Sequence, residues 1–148
     1  MSQSELLSPC GMYCGVCAIH IAHKTNDNKF KEKLGPAYGV TPEEIACEGC
    51  LSDKRFKYCQ VCPIRSCTVD KGYEGCHQCG EFPCELIDQF PVAVGKRVIL
   101  RSVPARRDLG TEKWLQGELN RYHCPSCGND LFRGAKRCRN CKESVDVD

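Results

Sequence analysis

Residues 47–84 read CEGCLSDKRFKYCQVCPIRSCTVDKGYEGCHQCGEFPC, eight cysteines in 38 residues. They stand at Cys47, Cys50, Cys59, Cys62, Cys67, Cys76, Cys79 and Cys84. The unit Cys-x2-Cys-x4-Cys occurs twice at a period of 17, as CQVCPIRSC and then CHQCGEFPC. Two thiols separated by two residues suit one metal ion, because a tight turn aims both sulfurs at a common point. The same spacing suits a structural disulfide poorly. The repeat therefore predicts two similar metal loops, and eight sulfurs match two four-sulfur sites. Spacing alone leaves the pairing open, sequential or interleaved.

Seven more cysteines lie outside this stretch. At the C-terminus, Cys124-Pro-Ser-Cys127-Gly and Cys138-Arg-Asn-Cys141-Lys are two knuckles separated by ten residues. They predict a zinc ribbon, a short hairpin whose four thiolates close a tetrahedral site with no open coordination position. Such a site is structural, since it leaves no place for a substrate. At the N-terminus, Cys10-Gly-Met-Tyr-Cys14-Gly-Val-Cys17 supplies three thiols and needs a fourth ligand. His20 follows Cys17 by three residues and His23 follows His20 by three, so in a helix these side chains share a face. A Cys3His zinc site on Cys10, Cys14, Cys17 and His20 is the expectation; exposed helix histidines are the alternative.

The triplet also has the x3, x2 spacing of the radical-SAM cluster motif. That enzyme's barrel needs a long alternation of strands and helices, whereas 131 residues follow Cys17 and twelve more cysteines punctuate them. Val16 stands where that motif often has an aromatic. The ferredoxin run Cys-x2-Cys-x2-Cys-x3-Cys-Pro is absent as well. Cys62-Pro63 and the unfilled triplet keep one alternative open, an iron–sulfur or thiol redox protein using Cys10, Cys14 and Cys17.

Composition points the same way. Of 148 residues, 61 are apolar by type, but 15 of those are cysteine; the 46 that remain are few for a self-sufficient core. Metal must then help hold the chain, and a structural zinc site contributes about 10–16 kcal/mol in peptide systems. An odd cysteine count, six Cys-x2-Cys pairs and an N-terminus without basic or apolar leader regions oppose a secreted disulfide scaffold. With no apolar run of about 18 residues, a membrane span is not expected, and the location expected is cytoplasmic. No acid–base dyad, phosphate loop or nucleophile elbow supports an enzyme.

Charge is uneven. Residues 1–90 carry nine basic and twelve acidic side chains, residues 91–142 carry twelve and four, and Glu143, Asp146 and Asp148 close the chain. The basic cluster Lys96, Arg97, Arg101, Arg106, Arg107, Arg133, Lys136, Arg137 and Arg139 raises contact with nucleic acid through region 96–139. The competing reading is charge balance, because zinc with four thiolates is a dianion.

Periodicity predicts a helix over about 16–34, with Ile19, Ala22, Phe30 and Leu34 on one side and Gly35-Pro36 as its stop. Thr41-Pro42-Glu43-Glu44 has a capping-box spacing. Residues 47–84 read as metal-bound loops. Helices follow over 84–90 after Pro83, over 94–102 before Pro104, and over 112–122, where Trp114, Leu115, Leu119 and Tyr122 form a buried stripe. The fold class expected is small, mainly α and metal-stabilised, with cysteine-rich loops, few strands and a C-terminal zinc ribbon hairpin. Residues 1–122 would form the multi-metal domain and 123–148 the ribbon and acidic tail.

CGMYCGVC, CEGC, CQVCPIRSCTVDKG and CHQCGEFPCELIDQF together resemble the cysteine-rich prokaryotic family known as domain of unknown function 3795. LGTEKWLQGELNRYHCPSCG is similar to members of it too, so the resemblance spans residues 8–128. It implies a metal-binding domain, and it assigns no activity or catalytic residue. The reading that emerges is a zinc-binding structural or adaptor protein with three to four sites and a partner of protein or nucleic acid.

Overall fold

The first helical run breaks where its own polar residues compete with it. In the computed structural model, which describes residues 6–148, α1 spans Ala18–Lys24 and α2 spans Asn28–Tyr38. The expectation about a leader falls partly on residues 1–5 and there lies outside the described residues. Asn26 takes a left-handed φ of 50°, which asparagine tolerates, and the Asp27 carboxylate accepts the Phe30 N–H at 3.0 Å. One expected helix over 16–34 is thus two. Gly35-Pro36 does not stop the second one: Pro36 sits in its last turns, and the end comes at Gly39, φ 69°.

The chain divides into two compact units. One is Tyr13–Pro63 with the described residues up to Ser8; the other is Pro9–Met12 with Ile64–Asp148. In the first unit, Ile19 and Ala22 of α1, Phe30 and Leu34 of α2, and Ile45 and Phe56 from the loops are buried together as its apolar centre. A short 3-10 turn at Pro42–Glu44 begins as the sequence predicts, with Glu44 Oε2 accepting the Thr41 N–H at 2.9 Å.

The second unit is built on a helical hairpin. Before it, α3 covers Pro63–Asp70, where only loop was expected, with a proline at the first position that needs no N–H. α4 is a single turn, Glu85–Asp88. α5 runs Ala93–Leu109 straight through Pro104, whose ring lies on the exposed side. Its buried positions, Gly95, Val98, Ile99, Ser102, Val103 and Arg106, recur at helical spacing. Gly110 alone joins it to α6, Thr111–Arg121. There Trp114 and Glu118 are buried, and Leu115 and Leu119 are half-buried. Trp114 Nε1 donates to Ser102 Oγ at 3.0 Å, Arg106 lies 5.2 Å over the indole, and Arg101 pairs with Glu118 at 2.6 Å.

The ribbon belongs to this same unit and does not separate at 122/123. Leu131 N–H donates to the Tyr122 carbonyl at 2.9 Å, Tyr122 Oη donates to Asp148 at 2.9 Å, and Arg121 Nε donates to the Val147 carbonyl at 3.0 Å. Strand pairing among the described residues is confined to isolated bridges, Leu7–Tyr13, His123–Asp130 and Arg137–Ser144. The architecture is mainly α with a ribbon, as the sequence predicts. No described helix is long and apolar enough to cross a membrane.

Candidate metal centre

Each ribbon knuckle is shaped by its backbone. Cys124 N–H donates to the Asn129 carbonyl at 2.8 Å and Gly128 N–H returns to the Cys124 carbonyl at 2.8 Å. Cys138 and Lys142 repeat the pattern, Cys138 N–H to Glu143 at 2.9 Å and Lys142 N–H to Cys138 at 3.0 Å. Both turns need a left-handed residue: Gly128 has φ 77°, and Lys142 takes φ 67° where a glycine would be unstrained. The four sulfurs converge, with Cys124–Cys141 and Cys127–Cys138 each at 3.6 Å and all four within 4.8 Å of one another. The Asn140 side chain and the Asn129 N–H favour the Cys127 thiolate and pull its pKa down to about 6. Glu143 N–H acts the same way on Cys141, but desolvation and the other three thiols outweigh it and push Cys141 up to about 12. Four thiols so placed cannot all ionise cheaply without a cation between them, and they could hold a metal ion.

In the first unit the stretch from Cys47 folds into a tight loop. Glu48 N–H donates to the Lys54 carbonyl at 2.8 Å, and buried Ser52 Oγ bridges the Gly49 and Lys54 carbonyls at 2.7 and 3.1 Å. Gly49 N–H points at Cys47 Sγ, 3.4 Å away. Surrounding protein raises the Cys59 thiol to about 12, and the thiols of Cys17, Cys47, Cys50 and Cys62 add to it, although part of Cys59 still meets solvent. Burial likewise raises Cys47, with the N–H groups of Gly49 and Phe56 opposing; Cys17 adds to the rise and the Arg55 charge opposes it.

His20 lies against this loop, 1% exposed. Its Nδ1 is 2.9 Å from the Cys47 carbonyl, which can only accept, so Nδ1 carries the proton. Burial lowers the His20 pKa, keeping the ring neutral. One ring nitrogen is thereby committed to holding the backbone of a candidate ligand, a role that spacing alone did not suggest.

The second unit collects another group. A cavity of about 30 Å³ is lined by Cys67, Cys76, Cys79 and Cys84 together with Ile64 and Ile87. Burial pushes Cys76 up to about 12, and the thiols of Cys10, Cys84, Cys79 and Cys67, in that order, push the same way. Cys76 N–H donates to the Pro9 carbonyl at 2.8 Å, and Glu81 N–H points at Cys79 Sγ at 3.4 Å. From α5, Arg107 clamps the knuckle backbone, Nε to the His77 carbonyl and Nη2 to the Cys79 carbonyl, both at 3.0 Å. No sequence signal could have found that clamp across 28 residues.

The N-terminal triplet is divided between the units: Cys10 falls in the second, Cys14, Cys17 and His20 in the first. The basic cluster is largely spent inside the second unit. Lys96 donates to the Asp88 carbonyl, Arg97 to that of Asp148, Arg106 to Thr111, and Lys136 to Asp146, besides the Arg101 and Arg107 contacts above.

No curated protein and no solved structure matches the chain. A family model matches residues 6–89, which takes in eleven of the fifteen cysteines and stops short of the helical hairpin and the ribbon. The resemblance read over 8–128 is therefore carried by its first two thirds, and on that match the chain belongs to the family described as Protein of unknown function (DUF3795).

Proposed function

We propose that this protein is a zinc-binding structural module of a reducing compartment such as the cytoplasm, with three to four zinc ions on which its fold depends. The observation that carries the reading is the ribbon's sulfur geometry. Zinc–sulfur bonds of about 2.3 Å in a tetrahedron place sulfurs about 3.8 Å apart. The ribbon pairs lie at 3.6 Å, close to that edge, so its donor set fits zinc by both chemistry and distance. Cys124, Cys127, Cys138 and Cys141 would hold the ion, which would supply cross-linking rather than catalysis.

The other eleven cysteines extend the reading upstream. A serving role as adaptor, with a protein or a nucleic acid docked through region 96–139, belongs to the same proposal. Its support is thinner, because most of the basic cluster already has partners within the unit.

Elemental analysis with a visible spectrum, on protein purified without air, tests the reading. A colourless protein with three or four zinc ions per chain is expected. Iron with acid-labile sulfide would overturn the zinc assignment. Binding to a DNA or RNA duplex that weakens steeply with salt would support the nucleic-acid part, and salt-independent or absent binding would remove it.

A further inference from the structure

The N-terminal cysteines look like one site in the sequence, with three and two residues between them. Cys10 belongs to the second unit, and Cys14 and Cys17 belong to the first. Residues 9–12 pack into the second unit by two independent anchors on either side of Cys10. Before it, the Pro9 carbonyl accepts the Cys76 N–H at 2.8 Å. After it, Gly11 at φ 94° lies so close to α5 that an added Cβ would meet Val103 Cγ2 at 2.6 Å. Only glycine permits that approach. Cys10 between them is 5% exposed.

We propose that the triplet serves two metals: Cys10 completes a four-sulfur site with Cys76, Cys79 and Cys84, and Cys17 completes another with Cys47, Cys50 and Cys59. The proposal rests on the zinc reading above and deepens it.

Several observations support the first set. Cys76, Cys79 and Cys84 line one cavity, and the strand of chain carrying Cys10 is hydrogen-bonded to Cys76. Cys67 lines the same cavity from α3, and the Pro9–Cys76 bond brings Cys10 in as a further thiol from the N-terminal segment. The second set has the same construction. Cys17 stands at the start of α1, whose His20 holds the Cys47 carbonyl at 2.9 Å, and the Cys59 N–H donates to the Phe56 carbonyl at 2.8 Å in the turn that follows the Cys47 loop. Each set holds one Cys-x2-Cys knuckle, one thiol from a later turn and one from the N-terminal segment.

Charge fits as well. Four thiolates and one divalent ion carry a net charge of −2. The Arg107 guanidinium is bonded to the Cys79 knuckle, and the Arg55 charge bears on Cys47, where Arg55 Nε is buried without a hydrogen-bond partner. Each set thus has one arginine to offset part of its charge. The assignment leaves Cys14, Cys62 and Cys67 off the metals and sets the total, ribbon included, at three. It also means the 17-residue period does not mark equivalent loops: the second Cys-x2-Cys-x4-Cys supplies three ligands, the first only Cys59.

Native mass spectrometry with thiol alkylation mapping on the full zinc-loaded chain tests this. Cys10→Ser should lose one zinc of three and open Cys76, Cys79 and Cys84 to alkylation while Cys17, Cys47, Cys50 and Cys59 stay protected. Cys17→Ser should do the reverse, and Cys14→Ser should keep three. If Cys10→Ser and Cys17→Ser open the same cysteines, or Cys14→Ser also loses a zinc, the partition is wrong while the zinc module survives. If wild type holds one zinc and alkylates at all eleven upstream thiols, both readings fall. Should the serine variants not fold, Cys10→His and Cys17→His retain a ligand. With cobalt in place of zinc, each should then shift the bands of one site in three, and not the same site; a shift of the same site by both would overturn the partition.

Discussion

The ribbon and the site proposed on Cys10, Cys76, Cys79 and Cys84 would each use four thiols, to opposite ends. The ribbon draws its ligands from residues 124–141, 18 in a row, and its own backbone bonds pre-shape both knuckles. The upstream site would draw on residues 10–84, a span of 75. Closing the longer span costs only about 1.3 kcal/mol more by the logarithmic law, small beside the about 10–16 kcal/mol of a structural zinc. The difference lies in consequence. A metal in the ribbon would organise a hairpin, whereas a metal upstream would fix which distant segments meet.

The sharpest break of that comparison is to remove one ligand on each side. Cys138→Ala should lose one zinc and retain a cooperative melt of the helices. Cys76→Ala should also lose one zinc but fall by at least about 5 kcal/mol, roughly 10–20 °C in Tm, read by far-UV circular dichroism. Equal losses would mean that ribbon and upstream sites are one cooperative structure.

Next in size is Trp114→Ala, which empties the contact between α6 and α5. It should cost about 3–5 kcal/mol in urea unfolding and leave the zinc count unchanged, since the indole bonds to Ser102 and lies under Arg106, neither of them a candidate ligand. A lost zinc would show that the hairpin and the metal sites are energetically inseparable.

His20→Asn probes the first unit alone, with an expected cost of about 1–3 kcal/mol and faster loss of zinc from that unit to a chelator. Here the pH dependence has a definite sign. Burial holds the His20 pKa below its ordinary 6.5, so the unfolded chain takes up that proton first. The stabilisation is complete above about 6.5 and is lost as pH falls below it. Wild type should therefore lose stability faster than His20→Asn between about pH 7 and pH 5, and parallel curves would remove His20 as the source. Smallest is Lys142→Gly, which relieves the left-handed residue after Cys141; a gain of up to about 1 kcal/mol in ribbon zinc affinity is expected, by competition with a colorimetric chelator.

Much of this was legible in the sequence where the signal was local. The ribbon knuckles, the Thr41 cap, the Trp114–Tyr122 stripe and the mainly α class follow from residues within one or two turns of each other. Errors arose where a local rule met tertiary context. Pro36 and Pro104 read as stops, yet each costs a single backbone bond when its ring lies toward solvent or near a helix end. Asn26-Asp27 read as part of a helix because Ile19, Ala22, Phe30 and Leu34 keep period across the break. That Cys10 falls in a different unit from Cys14 and Cys17 was not legible either, since nothing in CGMYC announces that Gly11 lies against Val103. Partners 67 to 92 residues away are invisible to a spacing rule.

The Arg107 clamp on the Cys76–Cys79 turn bears on how the chain is made. Synthesis runs from the N-terminus, so all eleven upstream thiols are produced before the helix that braces the last knuckle. At about 5–20 residues per second, the 23 residues from Cys84 to Arg107 take roughly 1–5 s. During that interval the nascent chain carries its full upstream complement of thiols without the arginine that steadies the last knuckle. If its thiols take a metal as they emerge, the supply of that metal during synthesis would bear on the yield of correctly built protein, beside the stability of the finished fold.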